Sequence, residues 1–269
     1  MTGFLVYRVI KMEEITSIKN DKVKYLRKLY QKKYRKERSQ FILEGLRLIR
    51  GAYKSGADLE SIFLTSDYFN QHKSEAFLIN NEEKLIFVSD SLISEIADTA
   101  NPQEVIAIVN EPQTKKEEVL SKEYILVLDQ IQDPGNMGTI IRTAAAAGFQ
   151  SIIISKGSVD VFNLKVLRST VGAIYSIPFI KDVDLKELKE LLTSKDKNIY
   201  AADLNTDQQY NQINYNKPLA LIIGNEGSGI KRELLNIADQ KVKIPLKGNI
   251  ESLNAGVAAG VIMFKILEN

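Results

Sequence analysis

Short apolar runs alternate with amphipathic stretches along most of the chain, and this alternation predicts an α/β protein. In the C-terminal half the apolar runs are nearly continuous, as in YILVLD, SIIIS and LALIIG. Helices are predicted between most of them, at 136–147, 163–171 and 184–195. Strands that are apolar on both faces and separated by helices are typical of a parallel sheet covered by helices. We therefore predict a parallel α/β domain over residues 123–269, with ligands bound beyond the carboxyl ends of its strands.

The N-terminal half shows the same alternation in a smaller unit. Strands are predicted around FIL, SIFLT, LIFVS and EVIAIV, with helices after FIL, at 67–79 and at 89–97. The polar stretch EPQTKKEEVLSK, residues 111–122, contains a proline and lacks apolar periodicity, which predicts a linker. Residues 12–110 are therefore predicted as a separate small α/β domain. Residues 1–11 are predicted as a non-native or flexible extension.

Composition narrows the chemistry by exclusion. The 269 residues include no cysteine, which excludes thiolate nucleophiles, cysteine-ligated zinc and disulfides. The one histidine, His72, argues against a Ser-His-Asp triad or a multi-histidine metal site, and its polar neighbours predict a surface position. No apolar run approaches the ~18 residues of a membrane span. These features favour a cytoplasmic protein that needs neither a metal nor a membrane.

Positive charge is concentrated in one segment. Residues 19–38 contain ten Lys or Arg against two acidic residues, a net charge of +8 in a chain whose overall net charge is +2. Apolar positions from Val23 to Tyr34 recur at helical spacing and predict one helix. A solvated amphipathic helix and a basic membrane-surface helix are alternatives, but a single-sign run this dense favours contact with RNA or DNA phosphates. Tyr25, Tyr30 and Tyr34 are suited to packing or to base stacking. The residues predicted to bind RNA are Lys28, Lys32, Lys33, Arg35, Lys36 and Arg38.

Three polar, glycine-containing motifs occur in the C-terminal half. The first is LDQIQDPGNMGTIIRTAAAAGF, residues 128–149, where a turn at 133–135 precedes a small-residue helix that Asn136 is predicted to cap. The second is GNEGSG, residues 224–229, at the end of a buried strand. It is not a P-loop, because Ile230 stands where the P-loop lysine belongs. The third is IPLKGNIESLN, residues 244–254, followed by an Ala/Gly-rich helix.

In this order the three motifs closely resemble those of the SpoU family of RNA 2′-O-ribose methyltransferases, within the SPOUT class. The matching positions are Asn136, Gly138, Arg142, Thr143 and Ala144, then Gly224, Glu226, Gly229 and Ile230, then Ile244, Pro245, Gly248, Ser252, Leu253 and Asn254. The resemblance implies a SPOUT-type α/β domain, a parallel sheet with a deep trefoil knot. The N-terminal half, with Glu44 and Gly45 in FILEGLRLI, is similar to the small L30e-like substrate-binding domain often appended to this family.

The resemblance also implies a site that binds S-adenosylmethionine. Its cofactor-binding residues are predicted to be Gly224, Asn225, Glu226, Ile244, Leu246 and Leu253. Gly224 and Gly229 would let the backbone approach the cofactor where a Cβ would obstruct it. The catalytic residues are predicted to be Arg142, Asn136, Ser252, Asn254 and Glu226. Because arginine stays protonated, Arg142 is expected to stabilise the developing 2′-alkoxide and not to remove its proton.

The function implied by the resemblance is methylation of a ribose 2′-hydroxyl, with 23S ribosomal RNA favoured as substrate, by a homodimer that packs through the knotted domain. The absence of cysteine independently favours ribose chemistry, because covalent methylation at C5 of a pyrimidine requires a cysteine nucleophile. Two alternatives stay open. One is a tRNA ribose or tRNA base as the target, and the other is a non-catalytic RNA-binding protein of the same fold.

Overall fold

The computed structural model describes residues 14–98, 102–194 and 196–268. They form two compact units that divide between Glu111 and Pro112, with Lys54–Ala57 grouped with the second unit. The extension predicted at residues 1–11 lies outside the described residues. Within the described part of the chain, no helix has the length and apolar character needed to cross a membrane.

The first unit is a four-stranded mixed sheet with short helices. Its strands are β1 (Gln40–Glu44), β2 (Leu59–Leu64), β3 (Leu85–Phe87) and β4 (Val105–Asn110). Their order is β1-β4-β2-β3, with β4 antiparallel to both of its neighbours and β3 parallel to β2. Its helices are α1 (Asp21–Lys28), α2 (Lys32–Arg38), α3 (Leu46–Lys54), α4 (Ser66–His72), α5 (Ala76–Ile79) and α6 (Asp90–Ile96), with a 3₁₀ turn at Glu82–Lys84.

The basic segment folds as two short helices, α1 and α2, and not as the single helix predicted over residues 19–38. Arg35 of α2 is buried, and its Nη1 donates to the carbonyl oxygens of Leu29 (2.9 Å) and Tyr30 (2.7 Å) in the turn between the helices. These bonds satisfy carbonyl groups that the end of α1 leaves without helical partners. The prediction that Arg35 binds RNA is therefore wrong, because its guanidinium holds the turn. The other residues predicted to bind RNA are exposed: Lys28, Lys32, Lys33, Lys36 and Arg38.

The second unit is a six-stranded parallel sheet, which confirms the predicted parallel α/β architecture. Its strands are β5 (Tyr124–Leu128), β6 (Ser151–Ser155), β7 (Phe179–Val183), β8 (Asn198–Ala202), β9 (Leu219–Ile223) and β10 (Gln240–Val242), in the order β10-β8-β9-β5-β6-β7. Its helices are α7 (Lys116–Leu120), α8 (Pro134–Ala146), α9 (Leu164–Thr170), α10 (Leu185–Thr193), α11 (Arg232–Leu235) and α12 (Ala255–Leu267), with a 3₁₀ turn at Ala173–Tyr175. The near-continuous apolar runs form β5, β6 and β9, which are buried along their whole length.

Two elements of the second unit differ from the sequence prediction. The pattern does not predict β7, because Lys181 and Asp182 interrupt its apolar run; Asp182 has φ 58° beside a register shift against β6. Residues 116–120, inside the segment predicted as a linker, form α7, and Val119 and Leu120 are buried in the core of this unit. Two apolar side chains in a polar stretch are too few to produce a recognisable period.

Glycines hold α8 tightly between its neighbouring helices. A Cβ on Gly138 would lie 2.4 Å from the Cβ of Ser169 and 2.8 Å from the carbonyl oxygen of Val166, so α8 and α9 approach at this point as closely as their backbones allow. A Cβ on Gly256 of α12 would lie 3.1 Å from the Cγ2 of Thr139 on the other side of α8. This packing fixes the start of α8 next to the start of α12, where two of the three motifs lie.

Candidate active site

A cavity of about 540 Å³ opens beyond the carboxyl ends of β8, β9 and β10. Ligand pockets in proteins commonly enclose ~300–1,000 Å³. The cavity is lined by the loop after β9, by the stretch after β10 and by the first turns of α12. The residues predicted to bind the cofactor all line this cavity: Gly224, Asn225, Glu226, Ile244, Leu246 and Leu253. Ser252 lines it as well.

The loop after β9 is closed by its own hydrogen bonds. The backbones of Asn225 and Gly229 donate to each other at 3.0 Å in both directions. The Oδ1 of Asn225 accepts from the backbone N–H groups of Gly227 and Ser228, both at 2.9 Å. Its Nδ2 donates to the carbonyl oxygen of Gln130 at 2.8 Å. The side chain of Asn225 therefore shapes the loop and ties it to the end of β5.

The glycines of this loop are required for two different reasons. A Cβ on Gly224 would lie 2.4 Å from the carbonyl carbon of Gly229 and 2.4 Å from the nitrogen of Ile230. A side chain at this position would therefore strike the backbone of the loop itself, and obstruction of the cofactor stays a prediction. Gly229 has φ +69°, in the left-handed region that favours glycine, although a Cβ there would meet no atom within 4 Å. Gly248 has neither constraint.

Side chains from the three motifs form one hydrogen-bonded chain. The Nδ2 of Asn254 donates to the Oδ1 of Asn136 at 2.8 Å, and the Nδ2 of Asn136 donates to the Oε1 of Glu226 at 2.9 Å. Glu226 also accepts from the backbone N–H groups of Gln132 and Asp133, both at 3.1 Å. Because Glu226 lines the cavity, the three motifs meet at its edge.

Asn136 can take part in this chain because it is not the cap of its helix. The predicted cap at Asn136 is wrong: Asp133 is the N-cap of α8, its Oδ1 accepts from the backbone N–H of Asn136 at 2.8 Å, and Pro134 takes the first helical position. The buried side chain of Asn136 is thus left to bridge Asn254 and Glu226. Asn254 does cap α12, with its Oδ1 accepting from the first backbone N–H groups of that helix at 2.9 and 3.3 Å, and its Nδ2 serves Asn136.

Glu226 carries a negative charge at neutral pH. Burial by itself raises the pKa of Glu226, but hydrogen bonds from the Asn136 amide and from the backbone N–H groups of Gln132, Glu226 and Asp133 outweigh burial and leave the pKa below its ordinary value. A carboxylate with a lowered pKa accepts a proton poorly. The arrangement suits Glu226 to orienting the amide of Asn136 and not to general base catalysis.

Two of the predicted catalytic residues stand outside this hydrogen-bonded chain. Ser252 is exposed and lines the cavity. Arg142 is exposed on α8, does not line the cavity, and makes no hydrogen bond or ion pair with any described residue. One turn earlier on α8, the side chain of Thr139 packs against Gly256 of α12. The described chain therefore brings Asn136, Glu226 and Asn254 together but leaves Arg142 apart from the cavity.

Asp129, which the first motif contains but the family resemblance does not single out, anchors the far end of the cavity loop. It is 1% exposed and follows β5 directly. Its Oδ2 accepts from the backbone N–H of Lys231 at 2.9 Å, and its Oδ1 accepts from the hydroxyl of Ser155 at 3.1 Å. That hydroxyl oxygen accepts in turn from the backbone N–H of Gln130 at 2.9 Å. The signal that could have revealed it is an acidic residue immediately after a fully apolar strand, at the edge where ligands bind.

Family models match both units. The SpoU rRNA methylase family matches residues 123–264, and the MRM3-like substrate binding domain matches residues 20–107. The 23S rRNA (guanosine(2553)-2′-O)-methyltransferase RlmP of Bacillus subtilis (strain 168) is 34% identical over 258 residues, covering 95% of this chain and 99% of that protein. The chain belongs to the SpoU rRNA methylase family, as the resemblance of its motifs predicted.

Solved structures share the fold of nearly the whole chain. An AdoMet-bound rRNA methyltransferase from Sinorhizobium meliloti matches with a TM-score of 0.86 and 31% identity, covering 96% of this chain and 98% of that one. An RNA 2′-O ribose methyltransferase matches with a TM-score of 0.79 and 27% identity, covering 95% and 98% of the two chains. These likenesses confirm the predicted SPOUT-type α/β fold, while the trefoil knot itself stays a prediction.

Proposed function

We propose that the protein is an RNA methyltransferase that uses S-adenosylmethionine to methylate a ribose 2′-hydroxyl, and that 23S ribosomal RNA is its substrate. The observation that carries this proposal is the hydrogen-bonded chain from Asn254 through Asn136 to Glu226 at the edge of the cavity. It joins all three family motifs at one place. The name of the Bacillus subtilis relative supports both the ribose chemistry and the ribosomal substrate. We propose a cytoplasmic location, as the composition predicts.

The cavity fits S-adenosylmethionine in size and in lining. Apolar side chains of Ile244, Leu246 and Leu253 face it together with the polar backbone of the loop from Gly224 to Gly229. Such a lining can pack against an adenine ring and hydrogen-bond its edge through backbone groups. When bound, the cofactor supplies an electrophilic methyl group on a sulfonium centre.

The residues of the chain position and stabilise the reacting groups. The carboxylate of Glu226 fixes the Nδ2 of Asn136, and Asn254 fixes its Oδ1, so the asparagine side chain is held in one orientation without reorganisation. A guanidinium group is a cation with a planar set of donors, and no described residue is a hydrogen-bond or ion-pair partner of Arg142. We assign to it the stabilisation of the negative charge that develops on the 2′-oxygen.

We infer a homodimer that packs through the second unit, with each site built from both copies. Arg142 does not line the cavity of its own chain. On α12, Val257, Phe264 and Leu267 are 52%, 49% and 41% exposed, and helical spacing puts them on one side of the helix. Apolar side chains that cluster on a surface helix mark an interaction site. A second copy covering α12 would bury them and could bring its Arg142 to the cavity.

Mixing two inactive variants tests the shared site. Arg142→Ala keeps the cavity, and Gly224→Val disrupts it. If the site is shared, a mixed dimer has one intact site, built from the cavity of one copy and Arg142 of the other. Equal mixing makes half of the dimers mixed, so activity should return to about a quarter of the wild-type value. Mixed dimers that are isolated with two affinity tags and are still inactive would show that Arg142 serves its own chain.

The substrate is tested by mapping ribose methylation in total RNA from cells with and without the gene. Loss of one 2′-O-methyl group from 23S ribosomal RNA, restored by the wild-type gene and not by Arg142→Ala, is the expected result. Loss of a tRNA modification would favour the tRNA alternative. An unchanged methylation map, together with no cofactor binding in calorimetry, would favour the non-catalytic RNA-binding protein.

A further inference from the structure

The basic segment presents one tyrosine whose hydroxyl the fold does not use. The Tyr25 hydroxyl donates to the Oε1 of Gln40 at 2.5 Å, and the Tyr30 hydroxyl donates to the Oε1 of Glu44 at 2.6 Å. Both hydroxyls are thereby held on β1. The hydroxyl of Tyr34 makes no hydrogen bond with any described residue, and the residue is partly exposed. Of the three tyrosines that could pack or stack, Tyr34 is the one left for stacking.

Two ammonium groups lie close to the Tyr34 ring. The Nζ of Lys28 is 5.7 Å from the ring centroid, and the Nζ of Lys33 is 5.9 Å from it. Lys28 is the last residue of α1, and Lys33 lies in the first turn of α2. An aromatic ring with two cations beside it matches the two chemical parts of a nucleotide, because a base can stack on the ring in place of the ammonium groups and its phosphates can pair with them. The surrounding exposed cations extend the phosphate-binding surface: Lys32, Lys36 and Arg38.

The ring is carried on a fixed support. Arg35 holds the turn between α1 and α2 through the carbonyl oxygens of Leu29 and Tyr30, and the Tyr30 hydroxyl ties that turn to Glu44. A residue whose backbone is already ordered loses less conformational entropy on binding than one in a mobile arm. The buried side chains of this segment thus serve to present the exposed ones.

We propose that Tyr34, flanked by Lys28 and Lys33, is a stacking platform for an unpaired base of the RNA substrate. The inference rests on the proposed function and specifies the class of RNA that it acts on. Bases in a paired A-form helix are stacked on one another and do not open a face to a protein ring, whereas bases in loops, bulges and single strands do. The preferred substrate therefore contains at least one unpaired nucleotide that the first unit can bind.

Two substitutions in the full-length protein separate stacking from folding. Tyr34→Leu removes the ring, and Tyr34→Phe keeps it. Binding is measured for a mixed-sequence single-stranded RNA and for a fully paired RNA duplex, alongside the melting temperature. Tyr34→Leu should weaken single-strand binding by about 5- to 150-fold, the factor expected for one base stacked on an aromatic ring. Tyr34→Phe should bind like the wild type, and neither variant should change duplex binding or the salt dependence of single-strand binding, because no phosphate contact is lost.

Tyr25→Phe is the matched control, since it removes a hydroxyl hydrogen bond from the same segment and leaves Tyr34 intact. The proposal is overturned if Tyr34→Leu binds single-stranded RNA like the wild type. It is also overturned if Tyr34→Leu weakens single-strand and duplex binding equally while lowering the melting temperature, which would make Tyr34 a packing residue. In both cases wild-type methylation of RNA would leave the proposed function standing. A wild-type protein that neither binds nor methylates RNA would overturn the proposed function and this inference together.

Discussion

Gly224→Ala should weaken cofactor binding although it adds only one methyl group. The added Cβ would lie 2.4 Å from two backbone atoms of the loop and 2.6 Å from the Cγ1 of Ile230. Carbon atoms in ordinary contact are ~3.5–4.0 Å apart, so the loop must move by about 1 Å. Overpacking of this kind costs about 1–3 kcal/mol. If the cofactor binds only the undisturbed loop, its affinity falls by about 5- to 150-fold.

Two neighbouring glycines provide graded comparisons. Gly229→Ala meets no atom within 4 Å but places a Cβ at φ +69°, which costs about 1–2 kcal/mol and predicts a loss of about 5- to 30-fold. Gly248→Ala meets neither a close atom nor a left-handed backbone and should stay within about 0.5 kcal/mol of the wild type. Steric conflict at Gly224 and backbone strain at Gly229 should therefore each weaken cofactor binding, whereas Gly248→Ala should not.

Isothermal calorimetry with S-adenosylmethionine measures the three affinities, and melting without cofactor measures the cost to the folded protein. The melting temperature should fall for Gly224→Ala and Gly229→Ala and stay constant for Gly248→Ala. Wild-type affinity in Gly224→Ala would refute the reasoning, because a 2.4 Å approach to backbone atoms cannot be relieved by a side-chain rotation. An equal loss in Gly248→Ala would show that packing within the loop does not decide cofactor affinity.

Three further predictions concern charge. Arg142→Ala should lower the rate of single-turnover methylation by about 10²–10³-fold and leave the melting temperature and cofactor affinity unchanged. Arg142→Lys should recover little of this rate, because an ammonium lacks the planar set of donors of a guanidinium. Near-normal turnover of Arg142→Ala would exclude a catalytic role for Arg142. The triple variant Lys32→Glu, Lys33→Glu and Lys36→Glu reverses three exposed lysines and keeps the buried Arg35. In a filter-binding salt titration it should bind RNA more weakly than the wild type, and its slope of log affinity against log salt should be smaller by about 2. Because the pKa of Glu226 is lower in the folded protein, ionised Glu226 stabilises the fold at pH values above the ordinary carboxyl pKa of about 4.3. This contribution is lost as the pH falls below about 4.3 and through the lower pKa of the folded state. Melting curves of Glu226→Gln should therefore decline less steeply on acidification than those of the wild type, and parallel curves would count against a lowered pKa.

The sequence predicts most of the second unit because its strands are apolar on both faces. β5, β6 and β9 are buried at every position, so their runs stand out from the surrounding helices. The pattern of apolar and polar residues does not predict β7, because the polar Lys181 and Asp182 lie within that strand. It also does not predict α7, because only two residues of that polar segment are apolar and buried. The strand order is also beyond the pattern, since nothing local places β9 between β8 and β5.

The candidate site could be assembled from motifs, but its internal contacts could not. The motifs identify Asn136, Glu226 and Asn254 as members of one site, whereas the direction of each hydrogen bond depends on which residue caps which helix. Asp133 takes the cap of α8, and this releases Asn136 to bridge the other two. The sequence also could not predict the role of Arg35. A run of basic residues predicts exposed cations, and nothing in the run shows that the Arg35 side chain is buried in the turn between two helices.

The hydrogen bond between Asn254 and Asn136 joins positions 118 residues apart. The site can therefore form only after almost the whole chain has been translated. The first unit ends at Glu111 and has its own core, so its folding can begin while the rest of the chain is still being made. Asn136 of α8, by contrast, can bond to its second partner, Asn254, only after the start of α12 has been translated. A ribosome that stops between these two points would release a chain with a complete basic surface and an incomplete catalytic site. A fragment of this kind, made in the same cell as the full-length enzyme, is predicted to compete with that enzyme for RNA and to lower its methylation.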